Sequence, residues 1–113
     1  MTLPHPLAVE LVEQIAQRFR VLGEPMRIRI LDLLRDGEAS VLELTDALGT
    51  TQQNVSKHLG VLYSAGIVSR RRDGNRALYA IADESVFELC DTVCGGLRRR
   101  VQELDELLAG VSP

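Results

Sequence analysis

The sequence is poor in several features that mark particular classes of protein. It has no tryptophan, aromatic residues make up 4% of its 113 residues, and it contains two cysteines. No apolar run approaches the roughly 18 residues that cross a membrane, and residues 1–6 lack the basic and then apolar segments of a secretory signal. We therefore expect a cytoplasmic protein with no membrane partner. Its cysteines should stay reduced, and its small core should be packed mainly from Leu, Val and Ile.

Charge is distributed unevenly along the chain. The formal net charge is −3, which by itself argues against a nucleic-acid partner. Residues 51–82, however, carry five basic residues against one acidic residue and have a net charge of +4, so the remainder carries −7. An acidic body with a basic edge is compatible with DNA binding, because phosphate contacts depend on local charge.

Apolar residues at helical spacing predict five helices. The first spans residues 8–22, and the second runs from Pro25 to about residue 34. Ser40 and Glu43 form a capping box that starts a short third helix. The fourth follows a turn at Gly49, and the last occupies about residues 84–108.

The fourth helix has one apolar and one polar face. Either Thr50 or Thr51 can cap its start, with Gln53 in capping-box position relative to Thr50. Its apolar stripe consists of Val55, Leu59 and Leu62. The opposite face carries amides, a hydroxyl and an ammonium group but no carboxylate, from Gln52, Gln53, Ser56 and Lys57.

Such a polar face suits a DNA recognition helix, although an ordinary surface helix would look similar. Amides pair bidentately with adenine edges in the major groove, and Ser or Lys reaches phosphates or bases. With the short helix before it, the segment predicts a helix-turn-helix unit over about residues 40–65. For His58, both a DNA contact and a structural hydrogen bond are open. The predicted DNA-contacting residues here are Thr51, Gln52, Gln53, Asn54, Ser56, Lys57 and His58.

Two strand-like runs occupy about residues 67–82 and flank Asp73-Gly74-Asn75, a strong hairpin signal. Arginines on both sides of its tip make the hairpin a basic ribbon. It could be a solvated hairpin with protective charges, but its position after the helix-turn-helix favours a wing that contacts phosphates or the minor groove. The candidate contacts are Arg70, Arg71, Arg72 and Arg76.

The last helix carries a longer apolar stripe than a small domain can cover. Together with the apolar first helix, it predicts a symmetric dimer interface. Such a dimer would place two recognition helices about one DNA turn apart on a roughly palindromic operator. Residues 98–100 are three arginines that could form a second DNA patch. The acidic residues at 103, 105 and 106 favour an ion-paired, solvated face instead.

Together these elements predict one mainly α (α+β) domain over residues 1–113. The predicted fold is a winged helix-turn-helix with about five helices and a two-stranded β-hairpin wing, dimeric through its first and last helices.

Three motifs stand in the order and spacing of a known family. They are LGEPMRIRIL at residues 22–31, VSKHL at residues 55–59 followed by Leu62 and AGIV at residues 65–68, and RDGN at residues 72–75 with Tyr79. Through them, the chain from Ala16 to Leu104 resembles the ArsR/SmtB family of bacterial winged-helix repressors. The resemblance implies a homodimer that represses transcription and releases DNA when an effector binds.

The complete ligand sets of the two metal sites known in this family are not present at the corresponding positions of this sequence. The family's thiolate site uses Cys-x-Cys in the third helix, where residues 41–46 of this chain read VLELTD. Its zinc site uses Asp-x-His and a later His-x-x-Glu. Asp83 can supply the first ligand, but Ser85, Gly96 and Arg99 stand at the other positions. One ligand of four cannot hold zinc.

Cys90 and Cys94 are the remaining candidates for an effector site. Four residues apart on a helix, their sulfurs share one face. That face suits a soft ion such as arsenite, Cd, Cu or Zn, completed across the dimer axis or by His5. Oxidation by persulfide or peroxide to an inter-subunit bridge is a second interpretation. In a third, both are small hydrophobic residues that pack the interface.

The sequence thus predicts a sequence-specific DNA-binding repressor, not an enzyme, with no required cofactor. A winged helix used only for protein contacts is one rival, and it would show no salt-dependent DNA affinity. A thiol enzyme is another. It would need an acidified thiolate beside a base, and the sequence has neither Cys-x-x-Cys nor an evident partner histidine.

Overall fold

The chain opens with two helices that meet at a two-residue junction. In the computed structural model, which describes residues 2–111, α1 spans Val9–Leu22 and α2 spans Pro25–Leu34. The leading proline of α2 has no N–H to leave unpaired in the first turn. The Glu24 carboxylate caps α2 by accepting a hydrogen bond from the Arg27 backbone N–H at 3.2 Å. Both predicted helices are confirmed.

The helix-turn-helix unit consists of α3, Val41–Leu48, and α4, Gln52–Ser64. Ser40 Oγ accepts from the Glu43 backbone N–H at 3.1 Å, and the Glu43 carboxylate accepts from the Ser40 backbone N–H at 3.0 Å. The predicted capping box is therefore confirmed. Gly49 ends α3 with φ 65°, a left-handed conformation that glycine adopts without steric cost.

Thr51 caps α4. Its hydroxyl accepts a hydrogen bond from the Asn54 backbone N–H at 3.1 Å, whereas the Thr50 hydroxyl accepts from the Asn54 side-chain amide at 3.2 Å. Of the two threonines proposed as caps, Thr51 is the one used. Gln53 does not complete a capping box, because the N–H that the cap binds belongs to the next residue.

The predicted two-stranded hairpin is confirmed, and a short additional strand joins it to make a three-stranded antiparallel sheet. Its strands are β1, Ala39–Ser40, β2, Val68–Asp73, and β3, Arg76–Ile81, in the order β1-β3-β2. The hairpin of β2 and β3 is the wing, and it turns at Gly74 with φ 63°. Strand β1 pairs with residues 78 and 79. It was not predicted, because a strand of two residues shows no alternation of apolar and polar side chains.

The chain forms two compact units, of which the first ends at Ala82 and the second begins at Asp83. The core of the first unit determines how α4 is oriented. Its largest fully buried side chains are Ile30, Leu44, Val55, Leu59, Leu62 and Ile67. Three of these six belong to α4, and each buried aliphatic side chain contributes roughly 1.5–3 kcal/mol. This burial holds the opposite face of α4 towards solvent.

The second unit contains α5, Ser85–Val111. Asp83 Oδ1 accepts from the Ser85 backbone N–H at 3.0 Å at the start of the helix, which continues beyond its predicted end at residue 108. Large apolar side chains along α5 are 43–70% exposed: Val93, Leu97, Val101, Leu104, Leu107 and Leu108. Within residues 2–111, no helix has both the length and the apolar character needed to span a lipid bilayer.

Candidate nucleic-acid interface

The solvent-facing side of α4 is built from four exposed polar residues. The buried stripe of Val55, Leu59 and Leu62 faces the core, so side chains at intervening positions point outwards. Their side chains make no hydrogen bond or ion pair with any other described residue, and α4 contains no carboxylate. The four are Gln52, Gln53, Ser56 and Lys57.

This face presents the chemistry that base edges and phosphates require. Glutamine amides both donate and accept, which matches the donor and acceptor of adenine in the major groove. The lysine ammonium offers three donors and a full positive charge. Because these four side chains have no hydrogen-bond or ion-pair partner among residues 2–111, an outside ligand can contact them without first breaking such an interaction.

Thr51 and Asn54, also predicted to contact DNA, lie in the first turn of α4. The Thr51 hydroxyl caps the helix, and the half-buried Asn54 donates its side-chain amide to Thr50. Both side chains therefore hold the turn between α3 and α4. They position the recognition surface, and Asn54 has its amide N–H already engaged.

His58 lies inside the protein, with its side chain 8% exposed. Its Nδ1 is 3.1 Å from Nη1 of Arg27, whose guanidinium also donates to the carbonyls of Arg20 and Val21 at the end of α1. Glu24 Oε2 lies 3.6 Å from the same Nδ1. Of the two interpretations left open by the sequence, this burial supports the structural hydrogen bond rather than a DNA contact.

The surroundings of His58 keep its ring neutral. Burial lowers the pKa of His58 below 6.5, and the positive charges of Lys57 and Arg27 act in the same direction. Glu24 opposes them by favouring the charged ring. The geometry agrees, because an arginine can only donate and Nδ1 must therefore accept.

Three of the four wing arginines are held by neighbouring side chains. Arg70 lies over the Tyr63 ring, 4.8 Å from its centroid, and a hydrogen bond with Tyr79 raises the pKa of its guanidinium. Arg71 forms a bidentate pair with Glu38, with Nε to Oε2 at 2.9 Å. The side chain of Arg71 is 57% exposed despite this pair.

Arg76 also has neighbouring carboxylates, whereas the side chain of Arg72 has no partner among residues 2–111. Arg76 lies 3.5 Å from Glu43 and 3.7 Å from Asp73. The side chain of Arg72 is exposed and forms no ion pair or hydrogen bond with any residue between 2 and 111. Of the wing arginines, Arg72 therefore offers its full charge to an outside partner.

Carboxylates near the wing respond to these arginines. The hydrogen bond from Arg71 lowers the pKa of Glu38, and the same pair raises the pKa of Arg71. The pKa of Glu43 is lowered mainly by hydrogen bonds from the Ser40 backbone and hydroxyl, with a smaller effect of Arg76. Glu38 and Glu43 thus stay ionised at neutral pH and partly neutralise the basic edge.

These partners are the functional residues that sequence reasoning missed. Glu38 and Glu43 lie 33 positions before the arginines they bind, and no local pattern joins such distant residues. Arg27 stands inside the motif at residues 22–31, but its side chain could not be connected with His58 from spacing alone. Both cases depend on tertiary contacts.

Cys90 and Cys94 are both free thiols on the exposed surface of α5. Among residues 2–111, no three His, Cys, Asp or Glu side chains come together in a group that could hold a metal ion. Within one chain, the two sulfurs are therefore neither packed in a core nor part of a formed metal site.

A helix-turn-helix, an unobstructed amide-rich face on its second helix and a basic β-hairpin define a DNA-binding transcriptional regulator of the winged helix-turn-helix class, rather than an enzyme. The family of helix-turn-helix domains matches residues 22–71. The HTH-type transcriptional regulator Rv0081 of Mycobacterium tuberculosis is 43% identical over 102 residues, which cover 86% of this chain and 90% of that protein.

Solved structures and a second relative agree. The crystal structure of Rv0081 matches with a TM-score of 0.75 and 39% identity, covering 85% of this chain and 97% of the other. The transcriptional repressor SmtB of M. tuberculosis is 40% identical over 88 residues, covering 78% and 65% of the two chains. A homodimeric winged helix-turn-helix domain from Mycobacterium bovis, a possible ArsR-family regulator, has a TM-score of 0.71 at 34% identity, covering 87% and 91%. The chain belongs to the ArsR/SmtB family of transcriptional regulators.

Proposed function

We propose that this protein is a cytoplasmic, homodimeric repressor that binds a roughly palindromic operator and leaves it when an effector binds. The observation that carries the proposal is the outward face of α4. Gln52, Gln53, Ser56 and Lys57 are exposed, their side chains form no hydrogen bond or ion pair among the described residues, and α4 carries no carboxylate.

Within this proposal, α4 and the wing have different tasks. The glutamines read base edges in the major groove, and Lys57 binds a base or a nearby phosphate. The wing binds backbone phosphates, with Arg72 as its strongest contributor because its charge is not shared with a protein carboxylate. Thr51 and Asn54 support the recognition surface from the first turn.

Dimerisation is supported by apolar surface that one chain leaves uncovered. Leu97, Val101, Leu104 and Leu108 recur along α5 at spacings of three and four and are 43–70% exposed. On α1, Val12 and Phe19 are 46% and 55% exposed. Large exposed apolar patches mark interaction sites, and the related M. bovis domain is described as homodimeric. A twofold axis would pair two recognition helices with two half-sites.

The first experiment tests DNA binding itself. A randomised duplex pool is selected with the wild-type protein, and the recovered duplex is titrated by fluorescence anisotropy at several salt concentrations. We expect a roughly palindromic site and an affinity that falls steeply with salt. Failure to select any sequence, with binding independent of salt, would favour the rival function in which the winged helix contacts only proteins.

The dimer is tested separately by sedimentation velocity. Leu104→Asp places a charge in the apolar stripe of α5 and should shift the protein towards monomer and weaken operator binding. Leu42→Asp, at a residue on α3 that is 56% exposed, is the matched control and should sediment as wild type. A Leu104→Asp protein that remains fully dimeric would remove α5 from the proposed interface.

The proposed effector site is Cys90 and Cys94, and two chemistries compete. A soft metal or metalloid ion would bind both thiolates, with further ligands from the partner subunit. Alternatively, persulfide or peroxide would oxidise the thiols. Exposure of both sulfurs supports access by either reagent. The proposal makes no use of a resident cofactor.

The same anisotropy assay separates these chemistries. Wild type and the Cys90→Ser/Cys94→Ser double variant are bound to the selected duplex and titrated with arsenite, Cd(II), Cu(I) and a persulfide donor. Release of wild type alone identifies both the effector class and the sensor. Identical behaviour with every compound would leave the cysteines as packing residues of the dimer interface.

A further inference from the structure

The buried His58 and the half-buried Arg27 connect three helices. Arg27 belongs to α2, its guanidinium donates to the carbonyls of Arg20 and Val21 at the end of α1, and its Nη1 is 3.1 Å from Nδ1 of His58 on α4. His58 immediately follows Lys57 of the recognition face and precedes Leu59, which is fully buried. The orientation of α4, which its buried aliphatic side chains set, therefore also depends on this ring.

The arrangement determines which form of the ring is present. Arg27 has only donors, so Nδ1 of His58 must carry a lone pair and the ring proton lies on Nε2. Glu24 Oε2, which also accepts from the Arg27 backbone N–H at 3.2 Å, lies 3.6 Å from Nδ1. Nδ1 thus has a cationic donor on one side and an anionic acceptor on the other.

We propose that His58 is a positioning residue for DNA recognition, which holds α4 on Arg27 when neutral and exchanges Arg27 for Glu24 when protonated, so that acid weakens operator binding. This inference rests on the proposed function, because its readout is operator affinity. It assigns a pH response to a site far along the sequence from the candidate effector cysteines.

The physical reason is a reversal of donor and acceptor roles. A protonated Nδ1 faces the guanidinium N–H groups with a donor of its own, and it adds a like charge to Arg27 and Lys57. Glu24 becomes the only favourable partner among the charged groups that act on the ring, which are Glu24, Arg27 and Lys57. Moving from Arg27 to Glu24 releases α4 from the end of α1.

The direction of the pH effect follows from the environment. Burial, Lys57 and Arg27 together lower the pKa of His58 below 6.5 in the folded protein, against the opposing effect of Glu24. The neutral ring therefore contributes fully above about pH 6.5, and its contribution is lost as pH falls through the lowered pKa. Both operator affinity and the stability of the fold should decline on the acid side.

The test measures operator affinity by anisotropy between about pH 7.5 and about pH 5.5, a range in which histidine is the side chain that titrates. The wild-type Kd for the selected duplex should rise about three- to tenfold, because protonation of the ring competes with the arrangement that binds the operator. Wild-type binding at the neutral end tests the proposed function by itself, so the two failures are distinguishable.

Three variants separate this mechanism from a general effect of acid. His58→Asn places Oδ1 where Nδ1 accepts from Arg27 but cannot titrate, so it should bind at neutral pH and lose the pH step. His58→Phe removes the acceptor and should bind weakly at every pH. His5→Gln removes the only other histidine of the chain and should retain the wild-type profile.

A measurement on wild type alone covers the case in which a variant fails to fold. In an NMR pH titration, the backbone amides of Gln53 and Ser56 should shift with the same midpoint as the ring of His58. Three results would each overturn the proposal. The first is backbone amides of α4 that do not shift with the His58 titration, and the second is a wild-type operator affinity that does not change with pH. The third is an unchanged pH dependence of operator affinity in a folded His58→Asn protein.

Discussion

The recognition helix and the wing both carry polar and basic groups, but they hold them in different ways. On α4, the side chains of Gln52, Gln53, Ser56 and Lys57 have no partner among residues 2–111. On the wing, Glu38 binds Arg71, and Glu43 and Asp73 lie beside Arg76. Tyr63 lies beneath a third arginine.

The difference shows that counting arginines overstates the charge available to DNA. An arginine already paired with a carboxylate must share or exchange that partner before it can neutralise a phosphate, and the carboxylate itself repels the DNA. Under the proposed function, the helix face reads base edges without first breaking a hydrogen bond or ion pair among residues 2–111, whereas the wing adds electrostatic affinity that its carboxylate partners reduce. Within α4 and the wing, only Lys57 and Arg72 combine a full positive charge with a side chain that has no hydrogen-bond or ion-pair partner among residues 2–111.

The largest expected effect removes the support behind the helix face. Leu59 is fully buried, and Leu59→Ala should lower the free energy of unfolding by about 2–5 kcal/mol through lost transfer energy and a cavity. Chemical denaturation measures the change. Leu42→Ala, at a site 56% exposed, should stay within about 0.5 kcal/mol of wild type. Equal effects from both variants would mean that α4 is not anchored as described.

The next prediction separates the loss of base preference from the loss of electrostatic affinity. Gln53→Ala should cost about 1–3 kcal/mol on the selected operator and relax preference at one base pair. Arg72→Ala should weaken binding to all sequences alike and reduce the logarithmic salt slope by about one unit. Anisotropy on the operator and on point-substituted duplexes measures both. The contrast between helix and wing fails if the two variants lose specificity equally.

A smaller effect concerns the start of the helix. Thr51→Ala removes the side-chain acceptor of the Asn54 backbone N–H and should destabilise the protein by about 1 kcal/mol, whereas Thr51→Ser keeps the hydroxyl and should be close to wild type. Thermal unfolding measures both. Because the cap positions the helix without reading bases, base preference should be unchanged. Altered preference in a fully folded Thr51→Ala protein would instead make Thr51 a direct DNA contact.

The smallest expected effect is a gain. Glu38→Gln removes the carboxylate that holds Arg71, so affinity for every duplex should increase a few-fold and the salt slope should steepen by up to about one unit. Glu10→Gln on α1 changes the net charge equally and is the matched control. If Glu38→Gln and its control bind alike, the Glu38–Arg71 pair does not regulate the charge of the wing.

Local sequence signals predicted most of the fold. Each of these signals affects only neighbouring residues, and each appears in the structure: Pro25, the Ser40–Glu43 capping box, a threonine cap before α4 and the turn at Gly74. Strand β1 was missed, because its two residues join the sheet only through residues about forty positions later.

In the candidate site, too, some features follow from local sequence and others depend on contacts between distant residues. The outward face of α4 follows from helical spacing alone, since burying Val55, Leu59 and Leu62 leaves the glutamines and Lys57 outside. The burial of His58 could not be read from its place beside Lys57, because it depends on Arg27 and Glu24. The neutralised state of the wing likewise depends on carboxylates outside the hairpin.

By itself, the sequence determined the helices, their caps, the hairpin and the polarity of each helix face. These features depend on backbone preference and on side-chain periodicity over a few residues, and neighbouring residues determine both. Only the tertiary structure decided which charges are free and which ring is buried. The contacts that set these properties join residues 31–33 positions apart. The energies of ion pairing and desolvation depend on distance and burial rather than on order along the chain.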